Sequence, residues 1–254
     1  MSQENFAERL VYAADVNFSK ARNLAEAKSM AENHLHQIIN ELFETGITIK
    51  VNTLVRFLGI EAIERLLDAG FGIFADLKLF DVYSTVSNDF YWLQHVPNLK
   101  VLTVAEKVKP DIFLRASALL PNTIIAPVGP LTDLTDDDFF RMGEINRATA
   151  VRNFFERTSK LPVTGIVCSP ADILLAPEGY LTGRTLITPA IRPSWYEDKN
   201  DTNNVNALTP TEAILNGADM LVVGGPIRFL DDMLGNFNMI LDEMTDAYLK
   251  KLVF

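Results

Sequence analysis

The 254-residue chain predicts a single-domain α/β protein, a (β/α)8 TIM barrel. Short β-branched or apolar runs alternate with amphipathic stretches, the alternation repeats eight times, and no shift in composition divides the chain. Strands alternating with helices imply a parallel sheet, and eight such units in about 250 residues imply that it closes. An open doubly wound sheet usually carries a G-x-G-x-x-G turn after its first strand, whereas here the first strand runs into AADVNFSKA.

The units follow in order. LVYAADV (10–16) leads into a helical pattern from Ser19 to about Phe43, which Gly46 stops. ITIKVN (47–52) precedes LVRFLGIEAIERLLDAG, closed by Gly70, and GIFADLKL (72–79) precedes SNDFYWLQHV. LKVLTV (99–104) precedes PDIFLRASALL, where Pro110 suits a first helical turn. TIIAPV (123–128) precedes DDDFFRMGEINRATAVRNFFERTSK, whose acidic start Asp136–Asp138 suits the positive end of a helix dipole. VTGIVCS (163–169) precedes a short helix near ADILLA, and TLITPAI (185–191) precedes a polar loop and TPTEAILNG. ADMLVVGG (218–225) leads into the last helical pattern. The one long irregular segment, 192–208, is rich in Asn and Asp and lies on the active face of a barrel, so it reads as a lid.

Nearly half the residues (48%) are hydrophobic and 22% are charged, enough apolar surface for a large core. A net charge of −10 argues against nucleic acid and anionic membrane surfaces as partners. A phosphorylated metabolite would need a local cluster of cations and backbone N–H groups. The single cysteine, Cys168, excludes an intrachain disulfide and reads as a small core residue. The opening MSQENFAERL has no apolar run of a signal peptide, and no stretch approaches the ~20 apolar residues of a membrane helix. A soluble, cytoplasmic protein is expected.

Barrel enzymes carry their chemistry at the C-terminal ends of the strands. Charges found there are Asp15 on the first strand, Lys50 on the second, and Asp76, Lys78 and Asp81 on the third. A charge within a strand pattern is costly unless paired. Asp76 and Lys78, two apart, share a face, with Ala75, Leu77 and Leu79 on the other. Asp81 follows where the strand ends, so D-x-K-x-x-D sets a cation between two carboxylates, and Lys50 adds a second cation beside Asp76. Such alternation keeps the lysines protonated and the carboxylates ionised. The competing reading is a structural salt-bridge network, and D-x-K-x-x-D by itself occurs in unrelated proteins. His34, His36 and His95 share no metal-ligand spacing and read as surface residues. Phe139-Phe140 and Phe154-Phe155 read as core.

IKVN, FADLKLFDVYSTV, GIVCSP, TPAIRP and GADMLVVGGPI, in this order from Asp15 to Ile227, resemble the signatures of the orotidine 5′-monophosphate decarboxylase family. The sister group of 3-keto-L-gulonate 6-phosphate decarboxylases shares D-x-K-x-x-D but is not expected to carry TPAIRP. The resemblance implies a cofactor-free, metal-free decarboxylation of orotidine 5′-monophosphate to UMP in pyrimidine biosynthesis. Lys78 would donate the proton, Asp76 would lie by the departing carboxylate, and Lys50 and Asp15 would hold the ribose. It also implies a homodimer in which Asp81 and Thr85 act across the interface. Thr132 matches a pyrimidine contact, and Pro189, Arg192, Asn204, Gly224 and Gly225 match further substrate-binding positions.

Departures from the family's pattern gather around the phosphate. Where the family motif after the eighth strand is G-R-P, with the arginine on the phosphate, this chain reads Gly224-Gly225-Pro226. Arg192 matches an arginine the family also uses there. Arg228 could swing back, although the preferred reading makes it an ordinary solvated residue at a helix start. Asn204 stands for a glutamine, TVAEKVKPD lacks the family's His and Gly-Gly, and APVGPLTDL carries one extra residue. Two alternatives follow: a relative acting on a different carboxylate, phosphorylated or not, and a non-catalytic ligand-binding relative.

Overall fold

The computed structural model describes residues 4–197 and 207–253. Eight strands close into one parallel barrel in chain order. They are β1 (Leu10–Ala13), β2 (Thr48–Val51), β3 (Gly72–Leu79), β4 (Leu99–Ala105), β5 (Ile124–Val128), β6 (Gly165–Val167), β7 (Thr185–Thr188) and β8 (Met220–Val223). The barrel closes where β1 pairs with β8, Val11 opposite Val222.

Strand alternation sorts side chains into two cores. Val11, Phe74, Val101, Ala126, Val167, Ile187, Met220 and Val222 fill the barrel interior. Their sequence neighbours, such as Tyr12, Ile73, Ala75, Leu102, Ile125, Ile166, Leu186 and Leu221, pack outward against the helices. Gly165 is required on β6, because a Cβ there would collide with the Ile124 side chain.

The outer layer comprises α1 (Glu4–Ala7), α2 (Leu24–Leu42), α3 (Thr53–Leu58), α4 (Glu61–Asp68), α5 (Tyr83–Leu93) and α6 (Pro110–Leu119). It continues with α7 (Asp136–Arg141), α8 (Arg147–Thr158), a 3-10 turn (Asp172–Leu175), α9 (Pro210–Leu215), α10 (Gly225–Arg228) and α11 (Met233–Val253). Several boundaries differ from the sequence reading, three of them with a visible local cause. The first long helix begins at Leu24 rather than near Ser19, because the Asn23 side chain caps it by accepting from the Glu26 N–H at 2.9 Å. The second and fifth helical patterns are each broken in two, at Gly59 (φ 71°) and near Gly143 (φ 85°), where the backbone turns left-handed. The acidic run 136–138 does open a helix, with a capping box between Thr135 and Asp138.

The predicted lid has a fixed stem. Arg192 N–H donates to Leu208 O at 2.9 Å, and Leu208 N–H to Ala190 O at 3.2 Å. Residues 198–206, Asn204 among them, lie outside the described residues. No helix among the described residues is long and apolar enough to cross a membrane.

Candidate active site

The interior alternation that buries Val11 on β1, Phe74 on β3 and Val101 on β4 makes the next inward position on each strand polar or small. Those positions are Ala13, Asp76 and Thr103; on β2 the inward residue is Lys50, paired in register with Phe74. All lie at the C-terminal ends of their strands, where the barrel opens into a cavity of about 560 Å³. Its floor is apolar, with Phe74, Val128, Val167 and Val222, and its wall holds Asp15, Lys50, Asp76, Lys78, Arg192 and Arg228.

Asp76 is the centre of the charge network. Its Oδ2 accepts from Lys78 Nζ at 2.8 Å and from Lys50 Nζ at 3.1 Å. Lys50 also reaches Asp15 Oδ2 at 2.9 Å. The side chains of Lys50 and Asp76 are each about 10% exposed, whereas that of Lys78 is 39% exposed and faces the cavity. Burial alone would push the Asp76 carboxyl up, but the two ammonium groups overcome it and hold it below its ordinary value. Burial would likewise depress Lys50, and Asp76 and Asp15 raise it instead. The buried pair is therefore ionised at neutral pH.

The strand bends to make this possible. Lys78 has φ 47°, a left-handed backbone that a non-glycine residue adopts at a cost, and the β3–β4 register shifts between Ala75 and Leu79. Thr103 holds the bend. Its Oγ1 accepts from Lys78 N–H at 2.9 Å and donates to Asp76 Oδ1 at 3.0 Å, in full burial. Across the cavity, Arg192 follows β7 and donates to the Ile191 carbonyl at 2.8 Å, while Arg228 of α10 donates to the Asp15 carbonyl at 2.9 Å. A positioned ammonium beside a buried carboxylate, with cations across a cavity wide enough for a small metabolite, is equipped to bind an anion and deliver a proton.

Residues 8–233 match the sequence pattern of the Orotidine 5'-phosphate decarboxylase / HUMPS family. The chain belongs to that family. It is thereby an enzyme of the orotidine 5′-phosphate decarboxylase type, a carboxy-lyase. An "Orotidine 5'-phosphate decarboxylase" of Desulfosudis oleivorans is 29% identical over 253 residues, 94% of this chain and 93% of the relative. Another so named, from Saccharophagus degradans, is 26% identical over 84% of this chain and 90% of its own. Among solved structures, orotidine 5'-phosphate decarboxylase from Lactobacillus acidophilus superposes with a TM-score of 0.73 at 23% identity, covering 93% of this chain and 99% of that one. An uncharacterized conserved protein from Geobacillus kaustophilus superposes at 0.70, with 17% identity and 92% and 99% coverage. These two likenesses concern the fold.

The family's expected site residues are distributed as follows. Asp15, Lys50, Asp76, Lys78, Thr132, Pro189, Arg192 and Gly224 all line the one cavity. Gly225 opens α10 beside it without lining it. Asp81 and Thr85 are exposed and outside it. The Asp81 carboxylate instead accepts from the Val82 N–H at 2.6 Å, so among the described residues Lys78 is not set between two carboxylates. The cation that bridges two is Lys50. Arg228 overturns its preferred reading: it is half-buried on the cavity wall because the turn of α10 directs it back over β1. His34 is buried rather than on the surface, 3.0 Å from the Tyr12 hydroxyl, and Phe140 is 75% exposed rather than core. Cys168 is buried, as expected, and its thiol is pushed far up by burial.

Sequence reasoning missed Thr103 and Thr53. The Thr53 hydroxyl accepts from Val16 N–H at 3.0 Å and donates to Asp15 Oδ1 at 3.4 Å, fixing that carboxylate. Thr103 left a signal: two residues after the inward-facing Val101 in LKVLTV, it puts a hydroxyl at an inward position of an otherwise apolar barrel interior.

Proposed function

We propose that this enzyme decarboxylates orotidine 5′-monophosphate to UMP, a step of pyrimidine nucleotide synthesis in the cytoplasm. The observation that carries the reading is Lys78: a half-exposed ammonium directed into the cavity, 2.8 Å from a buried, ionised Asp76. As the carbon–carboxylate bond breaks, its electron pair stays on the pyrimidine carbon and CO2 leaves. The Lys78 ammonium stabilises that developing negative charge and then gives its proton to the same carbon, and water reprotonates the lysine. Asp76 sits where the substrate carboxylate would lie and orients Lys78; Lys50 and Asp15, bonded to each other, offer a donor and an acceptor to the ribose. Positioned charges suffice for the step, and it calls for no metal or organic cofactor.

The same reading makes the enzyme a homodimer, with Asp81 and Thr85 reaching the partner's cavity. Support comes from their exposure and from the apolar surface around them: Phe80, Val82 and Tyr83 are 69%, 65% and 44% exposed. A second reading, a different carboxylate substrate on the same lysine–aspartate network, is favoured by Gly225. A non-catalytic binding relative is disfavoured by the intact Lys78–Asp76 pair.

The test follows the absorbance of orotidine 5′-monophosphate with purified protein and with its Lys78→Ala variant. Turnover by the first, falling at least about a hundredfold in the second with the fold intact by circular dichroism, is expected. No turnover by folded, unsubstituted protein moves the substrate to another acid. Unchanged turnover in Lys78→Ala rejects the mechanism.

A further inference from the structure

The two lysines on the cavity wall are committed, each within 3.1 Å of a carboxylate oxygen. Arg228 differs. Among the described residues it has no carboxylate within 4.0 Å, although Asp15, Asp76 and Asp133 share the wall with it. Its one protein hydrogen bond among the described residues is Nη1–H to the Asp15 carbonyl at 2.9 Å. A guanidinium carries five N–H donors, so this bond uses one of them and no carboxylate among the described residues pairs with the charge. A half-buried cation facing a concave, partly apolar cavity is favourable when the ligand brings the counter-charge.

The local helix explains how it gets there. Gly225 begins α10 and Arg228 ends it, three residues on, so both lie on one side of the same turn. Gly225 has no side chain, and the surface beside it is left to the longer residue one turn later.

We propose that Arg228 is the residue that binds the phosphate group of a nucleotide monophosphate in this cavity, supplied from the last residue of α10 rather than from its first. This rests on the nucleotide reading above and deepens it. The planar guanidinium grips two phosphate oxygens while one N–H stays on the Asp15 carbonyl. Phosphate binding is thereby tied to the loop that carries Asp15, the acceptor facing the ribose.

The experiment is calorimetric binding of UMP and of uridine to the full-length protein and to Arg228→Ala and Arg228→Lys. The unsubstituted protein prefers UMP. Arg228→Ala shrinks that preference about ten- to a hundredfold, and Arg228→Lys, which keeps the charge without the fork, shrinks it less. Equal loss of both affinities would overturn the proposal, since a residue that only pins the Asp15 loop acts on nucleoside and nucleotide alike. So would an unchanged preference, or no preference in the unsubstituted protein. Turnover of orotidine 5′-monophosphate is measured separately. An Arg228-dependent preference without turnover supports the arginine's role while rejecting the decarboxylase reading; turnover with an Arg228-independent preference rejects the arginine alone.

Discussion

At the residue scale, the site depends on one hydroxyl as much as on its charges. Thr103 Oγ1 bonds both the Asp76 carboxylate and the Lys78 N–H, so it sets the carboxylate's rotamer and holds the left-handed Lys78 backbone together. Thr103→Val keeps the shape and removes both bonds, leaving a buried N–H and a carboxylate oxygen without that partner. It is expected to destabilise the protein by about 2–4 kcal/mol in urea unfolding and to lower kcat more than it raises KM. Stability and kcat both unchanged would show that the strand bend holds itself. The charges are robust by comparison. Asp76 lies below its ordinary 3.8, so its pairing contributes above about pH 4 and is lost as pH falls through the lowered value. Lys50 lies above its ordinary 10.5, so its pairing is complete below that pH and is lost only as pH rises past the raised value. Across the neutral range the Lys50–Asp76 pair keeps one charge state.

At the scale of elements, α2 meets β1 through a buried polar pair, Tyr12 and His34, behind Asp15. Burial first, and the positive charge of Arg228 second, hold His34 down to about 4. The folded state therefore keeps this imidazole neutral while the unfolded chain protonates it near 6.5. Stability is full above pH 6.5 and falls as pH drops toward 4, by about 2 kcal/mol between 6.5 and 5. His34→Gln, which can still bond Tyr12, removes that slope. Urea midpoints at the two pH values check it: an equal acid shift in both proteins would mean that another group carries the loss.

At the scale of the whole molecule, the cavity of one chain holds Lys78 and Asp76 but not Asp81. If the site is completed by a second copy, Lys78→Ala and Asp81→Ala chains are each inactive alone, yet their mixed dimers contain one intact site. Co-refolded in equal amounts, they are expected to regain about a quarter of the unsubstituted activity, since half the dimers are mixed and one of two sites works. Absence of any regain, with mixed dimers present by native mass spectrometry, would place Asp81's role within its own chain.

The fold was legible because it depends on periodicity. Eight alternations of strand and helix, and an inward position on each strand, follow from side-chain geometry that is local to the sequence. GIFADLKL was read to the residue as β3. Helix breaks at Gly59 and near Gly143 were not, since an isolated glycine does not announce whether the chain will turn left-handed there. Of the site, the sequence by itself determined which charges stand at strand ends, because a charge in a strand pattern is conspicuous. Only the tertiary structure decided their pairing. It made Lys50 rather than Lys78 the bridge between two carboxylates, brought Thr103 under Asp76, set Asp81 outside the cavity, and carried Arg228 back over β1 from more than two hundred residues along the chain. Those contacts are between strands and turns distant in sequence, fixed by barrel register and closure, and no local pattern encodes them.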